Sequence, residues 1–301
     1  MTSRGVEVAA PGKVNLILRV LDRRPDGYHN LWSVMQAVDL ADTVVAEEGD
    51  GAQGIRVSCE GANLPTDFRN LAYQAAVRVM ARLGRRQSIR LLIRKRLPVA
   101  AGVGGGSSDA AATIRALAML FNAGWSRAEM ADLGRAIGSD VPFFFYGPTA
   151  LVEGRGERVS PLRLDGAGWL LLVNPGISIS TAWAYARLAA SRAGGAARPP
   201  FHLPLTGSGE SSDEPRVVPW DDLLSLAEND FGPVMEREYP ALRDLRLLML
   251  ERGAQAALLS GSGSTVFGAF PSEIAARSAA EGLDRTPGWR VWITRTQRDA
   301  F

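Results

Sequence analysis

The run Leu97-Pro98-Val99-Ala100-Ala101-Gly102-Val103-Gly104-Gly105-Gly106-Ser107-Ser108-Asp109 constrains this chain more than any other stretch. Glycines at this density weaken a strand or a helix, but they let backbone N–H groups turn inward and approach an anion closely. The Ala-rich stretch behind them reads as a helix opened by Ser107 or Ser108 and ending near Asn122. Its N-terminus adds unsatisfied donors and the positive end of a dipole. Loop and helix together make a phosphate cradle. The run lacks the lysine of a Walker A loop and departs from G-x-G-x-x-G spacing, because Ser107 stands where the last glycine should be. A purely structural turn is the competing reading. The two serine hydroxyls can cap the helix, touch phosphate or reach a magnesium ion.

Around this loop the pattern alternates between strands and helices. Val6 to Ala10 and Val14 to Leu21 read as strands separated by Pro11-Gly12, Asp26-Gly27 as a turn, and Leu31 to Leu40 as a further strand. Asn70 is placed to cap a helix from Leu71 to Leu83, and Ser126 with Glu129 to open another that runs to about Ile137. Ser88 to Arg94, Val141 to Tyr146, Ala150 to Glu153 and Trp169 to Val173 read as strands. Ser191 to Pro219 is rich in Pro, Gly and Ser and reads as an exposed loop. A helical pattern runs from Asp221 through Asn229 and again from Tyr239 to Arg252. Ala256 to Leu259 and Val266 to Phe270 form a strand-turn-strand unit, followed by a helix near Ile274 to Gly282 and a strand from Trp289 to Thr294.

Of the 34 basic residues only Lys13 and Lys95 are lysines. Arginine is a poor substitute where chemistry needs a compact point charge, so both lysines are suspects. Lys13 lies in an otherwise apolar strand, where an unpaired ammonium is costly, and should have an anionic partner. Gly138-Ser139-Asp140-Val141-Pro142 sets a carboxylate just ahead of three phenylalanines, a setting for a held acid or, equally, for an ordinary turn residue. Tyr28 and Tyr185 offer flat aromatic faces and His29 a hydrogen-bonding edge; core packing and turn capping are the alternatives. His202 falls in the unpatterned loop and is expected to be inert.

Pro11-Gly12-Lys13, the loop from Pro98 to Ser108, and Leu259-Ser260-Gly261-Ser262-Gly263 resemble the three ordered motifs of the GHMP kinases. Asn15-Leu16, the run Arg24 to His29, Gly138 to Pro142 and Asn174-Pro175-Gly176 are similar to one branch of that superfamily. That branch phosphorylates a cytidine-diphosphate-linked methylerythritol on the methylerythritol phosphate route to isoprenoid precursors. The matches span residues 11 to about 270.

The resemblance implies an α+β, two-domain GHMP kinase fold. A ribosomal S5 domain 2-like, ATP-binding N-terminal domain would cover 1–165 and a GHMP C-terminal, substrate-binding domain 166–301, with the active site in the cleft between them. It also implies an ATP- and Mg²⁺-dependent kinase acting on the 2-hydroxyl of a small molecule that carries a cytidine diphosphate group. Lys13 and Asp140 then match the catalytic pair. Pro98, Val99, Ala100, Ala101, Gly102, Val103, Gly104, Gly105, Gly106, Ser107 and Ser108 match the ATP phosphate site, with Asn70 and Lys95 near the adenine. Asn15, Tyr28, His29, Thr181 and Tyr185 match positions around the cytidine-bearing substrate, where Tyr28 and Tyr185 can sandwich the pyrimidine ring. The metal ligands are not identified. Gly12 departs from the alanine common in this branch and Tyr185 from a phenylalanine; neither change removes a needed chemical group.

Composition narrows the alternatives. A net charge of +2 invites neither nucleic acid nor anionic lipid, and the cluster Arg82, Arg85, Arg86, Arg90, Arg94, Lys95 and Arg96 reads as a solvated face. The lone Cys59 forms no intramolecular disulfide, no apolar run approaches bilayer length and no signal peptide is evident, so a cytoplasmic protein is expected. Another small-molecule GHMP kinase, of the mevalonate or homoserine type, is the nearest rival. A non-catalytic nucleotide-binding protein on this fold would be expected to lose Lys13 or Asp140, and both are present.

Overall fold

The computed structural model describes residues 5–49, 54–192 and 215–298. Its elements in chain order are β1 (Gly5–Arg23), β2 (His29–Glu48), β3 (Ile55–Glu60), α1 (Leu71–Arg82), β4 (Ile89–Arg94), α2 (Gly105–Leu120), α3 (Arg127–Arg135), α4 (Phe143–Tyr146), β5 (Thr149–Gly154), β6 (Arg158–Asp165) and β7 (Trp169–Asn174). They continue as α5 (Thr181–Ser191), β8 (Arg216–Pro219), α6 (Trp220–Ser225), β9 (Glu228–Asn229), α7 (Gly232–Glu238), α8 (Pro240–Glu251), β10 (Ala256–Leu259), β11 (Val266–Phe270), α9 (Glu273–Ala280) and β12 (Arg290–Arg295).

Two sheets stack between two layers of helices. The first has the order β3-β4-β2-β5-β6-β8, with β1 bridging β2 and β9, and the second has the order β10-β11-β7-β12. Alternation along the strands explains the stacking, because successive side chains point to opposite faces. In β7, Leu171 and Val173 pack among α5, α7, α8 and α9. Leu170 and Leu172 point the other way and meet Val14, Leu16 and Val34 of the first sheet. Met35, Ala37, Val44 and Ala46 of β2 cover the outer face of that sheet beneath α1 and α2. The continuous apolar run from Trp169 to Val173 is thus a strand buried on both faces, as such runs commonly are.

Several expectations are corrected. Pro11-Gly12 does not divide two strands: β1 continues through it, its pairing with β2 shifting register between Pro11 and Lys13. Pro11 faces Ala41 and Lys13 faces Ala37, so β2 carries two extra residues between these pairs, an irregularity that re-aims the side chains beyond it. Ser107 and Ser108 do not open α2, which begins at Gly105 with Gly104 in the left-handed conformation (φ 72°) as its capping residue. Val141 to Tyr146 is not a strand; Phe143–Tyr146 is a short helix with all three phenylalanines buried. A continuous apolar run is ambiguous by periodicity alone, and here a helical turn inserts every ring into the core under α2.

The helix from Asp221 stops at Ser225, and Glu228–Asn229 pairs parallel with β1 at Ile17 and Leu18. Arg216–Pro219, at the end of the expected loop, joins β6 in parallel, so the chain returns to the first sheet after building β7 of the second. Strands β3 and β6 and helix α7 carried no sequence expectation. His202 and residues 193–214 of the expected loop lie outside the described residues.

Capping chemistry is as the sequence predicts. The Asn70 side chain accepts from Ala72 N, and Ser126 with Glu129 forms a capping box. Much of the basic cluster is paired at the surface, Arg82 with Glu129, Arg90 with Glu47, and Arg94 with Glu7 and Glu60, while Arg85 lies over the Phe121 ring. Lys95 is the exception, being buried. Among the described residues no helix is long and apolar enough to cross a membrane.

Candidate active site

A cleft of about 630 Å³ opens between the glycine loop, β1, the Asp140 turn, the start of α5 and the turn after β10. Its wall is built from backbone. Gly102 has φ +78°, and a Cβ there would stand 1.9 Å from Ser260 O. Ser260 Oγ donates to Gly102 O at 2.9 Å, so the Leu259–Gly263 turn is docked on the back of the loop. Ser108 N bonds Gly104 O at 2.9 Å. The N–H groups of Gly105, Gly106 and Ser107 precede the first intrahelical bond and are left for a ligand, as at any helix N-terminus.

Lys13 enters from β1 just past the register shift against β2, pinned to the loop by its N–H donating to Val103 O at 2.9 Å. Its side chain is buried, with Nζ 3.3 Å from Asp140 Oδ2. Nζ also donates to Asn15 Oδ1 at 2.6 Å, and Asn15 Nδ2 donates to Ser33 Oγ, which donates to Ile17 O. This chain of bonds satisfies the ammonium without a second carboxylate. Asp140 keeps 29% of its side chain exposed, in the turn between α3 and α4. A buried cation and a half-open carboxylate share one face of the cleft, as proton acceptance beside a phosphate requires.

The residues expected around the cytidine form an aromatic group, but one arranged differently from the expected sandwich. Tyr185 lines the cleft and stacks on His29, with centroids 5.1 Å apart and planes at 21°, while its edge meets Phe231 at 4.9 Å. Tyr28 instead lies exposed under the Arg155 guanidinium, 4.7 Å from it. Burial, and after it the Asp140 charge, raise the Tyr185 phenol pKa. Burial, with Arg23 and Arg192 nearby, lowers that of His29, which therefore favours the neutral imidazole. Thr181 Oγ1 is 3.2 Å from Ser262 Oγ at the mouth of α5.

The structure therefore brings Lys13, Asn15, Asn70, Lys95, Asp140, Thr181 and Tyr185 to one cleft with residues 98–102 and 104–107. Val103 and Ser108 are buried behind it, and Tyr28 and His29 stand outside its lining. The Asn70 amide is engaged by Pro65 O and Ala72 N. The Lys95 ammonium lies between Asp42 and Asp109, at 2.5 and 2.7 Å. Asp42, Ser33 and Phe231 drew no sequence expectation, since no motif marks them; Ser262 lies in the third motif but was given no role of its own.

The GHMP kinases N terminal domain matches residues 70–148 and the GHMP kinases C terminal domain residues 219–287. The chain is 39% identical over 97% of its length to the 4-diphosphocytidyl-2-C-methyl-D-erythritol kinase of Geobacter sp. (strain M21), covering 99% of that protein. It is 40% identical over 89% of its length to the kinase of the same name from Brevibacillus brevis, covering 88% of it. A crystal structure of 4-(cytidine 5'-diphospho)-2C-methyl-D-erythritol kinase superposes with a TM-score of 0.77 at 33% identity, over 97% of this chain and 99% of that one. The motifs, the two stacked sheets and these matches place the chain in the GHMP kinase superfamily, and within it the chain belongs to the 4-diphosphocytidyl-2-C-methyl-D-erythritol kinase family.

Proposed function

We propose that this kinase transfers the γ-phosphoryl group of ATP to the 2-hydroxyl of 4-diphosphocytidyl-2-C-methyl-D-erythritol, in the cytoplasm, on the methylerythritol phosphate route to isoprenoid precursors. The observation that carries the reading is the Lys13–Asp140 pair, 3.3 Å apart against the glycine loop. The relatives' name supplies the substrate, and the stacked Tyr185–His29 pair supplies a flat surface for a base.

The division of labour follows from chemistry. Phosphoryl transfer leaves little covalent work to a protein, so rate comes from positioning and charge. The free N–H groups of Gly105, Gly106 and Ser107 hold phosphate oxygens. Asp140 accepts the proton of the attacking hydroxyl. Lys13 balances the Asp140 charge and meets the negative charge that grows on the transferring group, while Asn15 and Ser33 keep its ammonium from swinging away.

Among the described residues no group of three His, Cys, Asp or Glu could hold a metal ion. Ser107 and Asp140, both lining the cleft, offer the oxygen donors that suit Mg²⁺ carried largely by nucleotide phosphates. When bound, Mg²⁺ supplies neutralisation of phosphate charge. The division into an ATP-binding 1–165 and a substrate-binding 166–301 is part of this proposal. Its test is ADP release with ATP, Mg²⁺ and a panel of 4-diphosphocytidyl-2-C-methyl-D-erythritol, mevalonate and homoserine. Turnover with the first alone is expected; preference for either of the others overturns the reading.

A further inference from the structure

The ladder between β2 and β4 ends at Thr43 opposite Arg94, so Asp42 and Lys95 are the first residues past it on each strand. From here the chain leaves the sheet and leads into the glycine loop. The Lys95 N–H still reaches Glu60 O of β3 at 2.8 Å, but the next backbone donors need acceptors that the β2 backbone no longer offers. Asp42 supplies them from its side chain. One carboxylate oxygen accepts the N–H groups of Arg96 and Leu97 at 2.5 and 2.9 Å, and the other accepts from the Lys95 ammonium at 2.5 Å. Donors from three successive residues thus converge on one carboxylate, itself wholly buried.

Lys95 carries the contact across the loop. Its ammonium also donates to Asp109 Oδ2 in the second turn of α2 at 2.7 Å, while Asp109 Oδ1 is buried without a hydrogen-bond partner. All three side chains are at most 3% exposed. Gly105, the first residue of α2, lies directly over them: a Cβ there would stand 3.3 Å from Lys95 Nζ and 3.7 Å from Asp42 Oδ2. The loop is therefore held at its entry and at its exit by one buried group of charges. The same stretch of β2 also serves Lys13. Its register against β1 shifts between Ala41 and Ala37, next to Asp42 and opposite Lys13, whose N–H donates to Val103 O within the loop.

We propose that Asp42, which lies outside every motif, is a positioning residue for the nucleotide loop. It fixes where the chain leaves the sheet and, through Lys95 and Asp109, where α2 begins, and so sets the N–H groups of Gly105, Gly106 and Ser107 relative to Lys13. The inference rests on the ATP reading above. Apolar side chains of similar volume commonly hold a buried site as firmly as an ion cluster does, but they give a backbone N–H no direction. Thr181 and Tyr185, on the other side of the cleft, stand on α5 and are held by different contacts, with Ser262, His29 and Phe231. Loss of Asp42 should therefore be felt by the nucleotide and not by the alcohol.

The test reads KM for ATP, KM for the alcohol and kcat in the full chain carrying Asp42→Asn, Asp42→Leu or the triple replacement Asp42→Leu/Lys95→Met/Asp109→Leu. Asp42→Leu should raise KM for ATP about tenfold or more and lower kcat about tenfold or more, with KM for the alcohol within about twofold. Asp42→Asn keeps an oxygen for the Arg96 and Leu97 N–H groups and should raise KM for ATP about threefold. The triple replacement removes every charge of the cluster, so it should melt close to the wild type and still keep the raised KM for ATP. Recovery of KM together with stability would make the cluster structural and overturn the proposal, as would equal rises in both KM values. Should the leucine variants not fold, Asp42→Asn decides: a KM for ATP at the wild-type level, or raised no more than that for the alcohol, overturns the role.

Amide hydrogen exchange judges Asp42 without any ligand. In the ligand-free protein Asp42→Asn or Asp42→Leu should speed exchange across residues 96–108 about tenfold or more and leave β7 and β11 unchanged. Equal speeding in both sheets, or none across 96–108, overturns the proposal. Absence of ATP turnover in the wild type would sink the functional reading while exchange still decides whether Asp42 holds the loop.

Discussion

The Lys13 ammonium and the Asp140 carboxylate face each other at 3.3 Å across the cleft, one from a strand just past a register shift and the other from a turn between two helices. Among the described residues Asp140 is the carboxylate paired with Lys13, whose other partner is the neutral Asn15. Asp140→Asn should fold and bind nucleotide but lose about 10²–10⁴ in kcat, the span for removal of a general base. Turnover near that of the wild type in a folded variant would remove Asp140 from the chemistry.

Lys13→Arg should be nearly as damaging. The lysine stem is walled by backbone: a Cβ on Gly104 would come within 2.9 Å of Lys13 Cγ, and one on Gly261 within 3.5 Å of Nζ. A planar guanidinium has no room there without displacing Asp140 or the phosphate, and misplacement by an ångström can cost on the order of 10²-fold. We expect retained nucleotide binding and loss of most transfer. Wild-type kcat would reassign Lys13 to structure.

Gly102→Ala tests the docking of the third motif on the loop. The position needs φ +78°, and the added methyl would overlap Ser260 O. Left-handed strain of about 1–2 kcal/mol adds to overpacking of about 1–3 kcal/mol. Chemical denaturation should show a loss of about 2–5 kcal/mol. A loss under about 0.5 kcal/mol would mean the loop and the Ser260 turn move apart freely.

Tyr185→Ala should weaken binding of the cytidine-bearing substrate by about 1–3 kcal/mol, the usual range for base–aromatic stacking, with ATP affinity almost unchanged. Calorimetry with each ligand decides. Equal weakening of both would make Tyr185 a packing residue against Phe231.

His29 gives a pH signature of its own. Its folded-state pKa is depressed, so below the ordinary value near 6.5 the unfolded chain binds more protons than the folded one. Stability should rise with pH up to about that value and then level off, and His29→Gln should flatten part of the rise. With His202 the only other histidine, NMR titration can read His29 directly; a midpoint above 6.5 would contradict its placement beside Arg23 and Arg192.

Local chemistry made much of this protein legible in advance. Glycine density before an Ala-rich stretch predicts an anion cradle, Asn70 and Ser126 predict caps, and the scarcity of lysine singles out Lys13 and Lys95. Each of these signals is short-range, set by backbone freedom or by a side chain reaching its own helix. The three ordered motifs carried the family by resemblance, without showing how they meet.

What meets what was left to long-range packing. Nothing near Asp42 marks it, yet the antiparallel pairing of β2 with β4 brings it to Lys95, 53 residues away, and the crossing of α2 brings in Asp109. Helix α4 and the strand assignment of 141–146 turned on which conformation buries three rings beneath α2. Periodicity could not decide that, because every position in the run is apolar. The return of β8 and β9 to the first sheet, and the stacking of His29 rather than Tyr28 on Tyr185, depend on which surfaces remain open once both sheets have packed. Burial is a property of the assembled layers, so the partners of a buried charge or an aromatic face are chosen only when those layers close.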